Sequence, residues 1–82
     1  MAHDKVKVRA AFAGYFRLQS VDRVRWLEIA EGTPGVLSNW SKGQFNTVTF
    51  ELSNNDKASA PIDYTGLILK TDVVQPDRFE RV

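Results

Sequence analysis

The chain has 82 residues and a net charge of +1, with 43% apolar and 26% charged residues, the balance of a single small globular domain rather than a disordered or fibrous chain. It contains no cysteine and one histidine, which excludes a disulfide framework, a thiolate metal centre and a cysteine nucleophile. No apolar run approaches the roughly 18 residues of a membrane-spanning helix and the N-terminus shows no apolar leader, so a soluble, cytoplasmic protein is expected.

Met1 to Asp4 reads as a frayed end, and His3 within it has nothing to fix its tautomer or position. Residues 5–19 then alternate strictly. Val6, Val8, Ala10, Phe12, Gly14, Phe16 and Leu18 form one face. Lys5, Lys7, Arg9, Ala11, Ala13, Tyr15, Arg17 and Gln19 form the other. A period of two predicts one long strand with a buried apolar face and an outer face that is mostly basic or polar. Gly14 is the natural place for such a strand to bend or bulge.

Residues 20–31 admit two readings. Ser20, Asp22 and Gly32 stand where helix caps would stand, which favours a short helix over 21–31. Val24, Trp26, Leu27 and Ile29 favour a strand over 23–30, paired antiparallel with the first through a turn at 19–22. The strand is preferred, because a long first strand needs a neighbour close in sequence. Residues 31–35 read as a turn, with Pro34 at its first central position and Gly35 at the position that takes a positive φ. Residues 36–43 read as short and irregular, and Trp40 within them is a core anchor reached from a loop or, if exposed, a contact residue.

Residues 44–53 predict a second clear strand, with Val48, Phe50 and Leu52 on one face and Phe45, Thr47, Thr49 and Glu51 on the other. Residues 53–61 read as a polar loop without an apolar anchor. A third clear strand is predicted over 62–74, apolar on both faces, with Gly66 allowing a bend. Gln75, Pro76 and Asp77 stop it, and Phe79 docks the short tail. The sum is a mainly β fold: a small antiparallel barrel or two-sheet sandwich of about five strands, forming one domain over residues 1–82.

Little catalytic chemistry is on offer. There is no cluster of metal-ligand types, no glycine-rich phosphate loop, and a Ser-His-Asp arrangement would have to recruit His3. No enzymatic activity, cofactor or metal is therefore expected. Charge is unevenly spread: residues 1–30 hold six Lys or Arg against three acids, and residues 31–82 hold five against seven. Such asymmetry can gather into one basic face. The candidate contact surface is Lys5, Lys7, Arg9, Tyr15, Arg17, Arg23, Arg25, Trp26 and Trp40. A protein-interaction module of the inhibitor or accessory-factor type is the preferred function. The alternative is a single-stranded nucleic-acid binder that uses the basic and aromatic face of residues 5–19, where rings stack bases and cations track phosphates. A second alternative is a self-associating structural protein, a homo-oligomer paired edge to edge.

Overall fold

In the computed structural model, which describes residues 4–66 and 73–82, the apolar alternation of the sequence becomes one continuous antiparallel sheet. The strands are β1 (Lys5–Val8), β2 (Phe12–Leu18), β3 (Arg23–Ile29), β4 (Pro34–Ser41), β5 (Gln44–Glu51), β6 (Lys57–Pro61) and β7 (Phe79–Arg81), with a short 3-10 turn at Pro76–Arg78. Their order across the sheet is β3-β2-β6-β5-β4-β1-β7. The sheet curls into a half-barrel, so the fold is mainly β as expected, with seven strands in place of about five and no second sheet among the described residues. No helix there is long and apolar enough to cross a membrane.

Side chains at alternate positions fill the concave side. Val6, Val8, Phe16, Ile29, Leu37, Val48, Phe50, Ala58, Ala60, Val74 and Phe79 form the buried core. Phe12, Phe16 and Phe50 meet edge to face, with ring centroids 5.9–6.1 Å apart. Such geometry sets the positive edge of one ring against the negative face of the next. Phe79 is buried and docks the tail, as its place in the sequence suggests.

The long alternating stretch is two strands. β1 pairs with β4 and β7, whereas β2 pairs with β3 and β6. The break lies at residues 9–11, where the chain changes ladder partners: the Arg9 amide donates to the carbonyl of Arg78. Gly14, the expected bend, stays inside β2 opposite Leu27. The helix alternative over 21–31 is overturned by β3, whose seven residues pair with β2 from Phe12↔Ile29 to Leu18↔Arg23. Ladder bonds and the burial of Ile29 outweigh the cap-like residues.

Three further segments differ from expectation. Pro34 and Gly35 open β4 rather than centre a turn, and the positive φ falls on Gly32 at 81°. The irregular 36–43 is strand as far as Ser41. Lys42 and Gly43, both at positive φ, make a two-residue turn from Ser41 to Gln44. Positive φ at both central residues matches the right-handed twist of the flanking strands. Within the polar loop 53–61, residues 57–61 are β6, and its buried Ala58 and Ala60 lie between β2 and β5. Of the predicted strand over 62–74, the described residues show a parallel bridge between Ile62 and Val74, with Asp63 Oδ1 accepting from the amide and hydroxyl of Thr65 in the following bend. Residues 67–72 of that prediction, and His3, lie outside the described residues.

Candidate contact surface

The β2–β3 hairpin builds the surface. Residues directly opposite in an antiparallel ladder share a face. Tyr15 is opposite Trp26, and Arg17 is opposite Val24. These four side chains therefore stand together on the outer face of the sheet. The rings of Tyr15 and Trp26 meet edge to face at 5.0 Å. Tyr15, Trp26 and Val24 keep 43%, 54% and 49% of their surface in solvent. Water-exposed rings fixed by each other lose little freedom on binding.

The turn that joins the two strands is held from both ends. The Asp22 amide donates to the Leu18 carbonyl, with Asp22 at a positive φ of 51°. Arg17 Nη1 donates to the backbone oxygen and to Oδ1 of Asp22, each at 3.1 Å. Ser20 is tied to the β5–β6 turn: its amide donates to Asp56 Oδ1 at 3.0 Å and its hydroxyl to Oδ2 at 2.6 Å. The Lys57 amide also donates to Asp56 Oδ1. The Ser20 hydroxyl, aided by these amides, holds the Asp56 carboxyl below its ordinary pKa.

Beside the aromatic pair the sheet opens. β2 pairs with β6 only at Arg17↔Ser59 and Leu18↔Ala58. Toward Tyr15 the two strands diverge, and a groove of about 350 Å³ lies there, lined by Tyr15, Arg17, Val24, Thr47, Ser59, Ala60 and Pro61. Pro61 offers no amide hydrogen to bridge the gap.

The nine residues singled out from sequence are not one surface. Tyr15, Arg17 and Trp26 come together. Arg23 and Arg25 sit on the same hairpin but opposite Leu18 and Phe16, so they point to the other face of the sheet. Lys5 and Lys7 are on β1, four places along the sheet from β2. Lys7 lies 3.7 Å from Glu80 of β7. Arg9 stands at the break between β1 and β2.

Trp40 is 58% exposed, which corrects its reading as a core anchor. It packs edge to face on Phe45 at 4.8 Å near the tip of the β4–β5 hairpin. The Arg81 guanidinium is 5.9 Å from the Phe45 ring centroid, and the Tyr64 hydroxyl donates to the Phe45 carbonyl at 2.7 Å. Burial raises the Tyr64 phenol above its usual pKa, against the opposing pull of Arg81. This second cluster, like the share of Val24 and Pro61 in the first, was not foreseen from sequence. Val24 and Pro61 become surface residues only through strand register. Among the described residues no group of His, Cys, Asp and Glu is arranged to hold a metal ion.

Comparison with family models, with curated proteins and with solved structures gives no match.

Proposed function

We propose that this chain is a small non-enzymatic binding module that acts through protein–protein interaction, as an inhibitor or accessory factor. One observation carries the reading: the exposed, mutually packed Tyr15–Trp26 pair beside Val24, next to an open groove. Tyrosine, tryptophan and arginine dominate the binding energy of protein interfaces, and a groove beside them lets a partner exclude water. Arg17 borders the same patch and is already oriented by Asp22. The lack of cysteine suits a reducing, cytoplasmic setting.

The test is capture from nuclease-treated lysate of the producing cells, with wild-type chain and a Tyr15→Ala/Trp26→Ala double variant as parallel baits. A protein retained by the first and lost by the second is the expected result, since truncating such anchors costs about 2 kcal/mol or more each. Identical retention by both baits overturns the assignment to this surface. Retention seen only in a parallel lysate left without nuclease transfers it to nucleic acid.

A further inference from the structure

The hairpin that carries the aromatic pair also ends the sheet among the described residues. Among the described residues β3 pairs with β2 alone, and its other edge carries unpaired backbone donors and acceptors over seven residues. It has no proline or bulge to blunt it, and its only charged residues are Arg23, Arg25 and Glu28, so what can pair with it is set by charge. Its two faces differ in chemistry. Arg23 and Arg25 share one face, and both are exposed with no ion pair to a described residue. Across the ladder they meet Leu18 and Phe16, which supply no counter-charge. Val24, Trp26 and Glu28 share the other face, opposite Arg17, Tyr15 and Ala13, and its apolar part is Val24 and Trp26.

We propose that the free edge of β3 takes up an extended protein segment in which acidic residues alternate with apolar ones, adding to the sheet as a further strand. This rests on the protein-binding reading above and names the partner's chemistry. A strand beside β3 turns its side chains alternately to the two faces. Acids on one face meet Arg23 and Arg25, while apolar side chains on the other meet Val24 and Trp26. Backbone bonds to the edge supply affinity and the alternating side chains supply specificity.

A second copy of β3 fits poorly in the registers centred within residues 24–26, which span both arginines. Centred on Val24 or Arg25, an antiparallel self-pair sets arginine opposite arginine. Centred on Trp26, it sets Arg25 against Leu27 and Arg23 against Ile29. In these registers the two arginines disfavour self-pairing and favour an acidic strand.

The test uses a fluorescein-labelled peptide of alternating Glu and Val, matched to the seven residues of β3, and a counterpart with Lys in place of Glu. Fluorescence anisotropy is expected to rise saturably with the Glu peptide and stay flat with the Lys peptide. An Arg23→Glu/Arg25→Glu variant, checked for native circular dichroism, is expected to lose at least about tenfold in affinity for the Glu peptide and to gain the Lys peptide. Amide exchange is expected to slow along β3. Absence of binding, equal binding of both peptides, or protection elsewhere overturns the inference. So does a dimer in sedimentation that the peptide leaves intact. If the peptide fails while capture from lysate still requires Tyr15 and Trp26, the edge inference falls and the protein-binding reading stands.

Discussion

At Gly35 the absence of a side chain is a packing requirement. A Cβ built there would lie 2.8 Å from Cδ1 of Phe50, whose ring is fully buried. Phe50 cannot yield, because it meets Phe12 and Phe16 on its other sides. Gly35→Ala is expected to destabilise by about 1–3 kcal/mol, the usual cost of overpacking, in urea unfolding followed by fluorescence. Phe50→Ala removes the ring itself and is expected to cost about 3–5 kcal/mol. Phe12→Ala should cost less, since Phe12 is half-buried and lies at the core's rim, with the Arg78 guanidinium 5.3 Å from its centroid. Trp26→Ala gives the contrast: an exposed ring should leave stability within about 0.5 kcal/mol while removing partner binding. A large loss of stability with Trp26→Ala would mean that the aromatic pair props up the hairpin rather than facing a partner.

Between elements, the bond from Ser20 to Asp56 ties the β2–β3 turn to the β5–β6 turn, the two turns that flank the short β2–β6 ladder. Its pH dependence has a definite sign. The folded carboxyl titrates below its ordinary value of 3.8, so on acidification the unfolded chain takes up this proton first. The stabilisation is complete above about pH 5 and is lost as pH falls through the folded value. Asp56→Asn should lower the melting temperature near neutrality and flatten its fall on acidification, measured by circular dichroism from about pH 6 to about pH 3. An unchanged acid limb would show that the latch carries no stability. How such elements show in the sequence depends on what they bury. β1, β2 and β5 were legible because bulky Val6, Val8, Phe16, Val48 and Phe50 recur at every second position. β6 was not, because its buried residues are Ala58 and Ala60, whose weak apolar signal is lost among Lys57 and Ser59. β4 hid behind Pro34 and Gly35, whose turn-like chemistry serves here to start a strand and to clear space for Phe50. Of the contact surface, residue types were legible and grouping was not. Arg25 and Trp26 are adjacent in sequence, yet ladder pairing sends them to opposite faces.

Over the whole molecule, the positive excess of the first thirty residues is dispersed by the path of the chain. β1 and β2, joined through residues 9–11, lie four places apart in the sheet, which separates Lys5 and Lys7 from Arg17. Lys7 and Arg17 also have acidic neighbours of their own, Glu80 and Asp22. Nucleic-acid affinity grows with the number of phosphates neutralised together, and for single strands log K falls with log salt at a slope of about −0.7 per contact. A footprint divided between two faces and two ends of a sheet neutralises few at once. Titration of a labelled single-stranded oligonucleotide is therefore expected to give little anisotropy change at low salt and no steep dependence on added salt. The peptide of alternating Glu and Val should bind under the same conditions, because its charges need to meet only Arg23 and Arg25. A steep salt slope with the oligonucleotide, removed by Arg17→Glu, would reverse this order: the Tyr15–Trp26 pair would then be a stacking platform for bases, and Arg17 the first of its phosphate contacts.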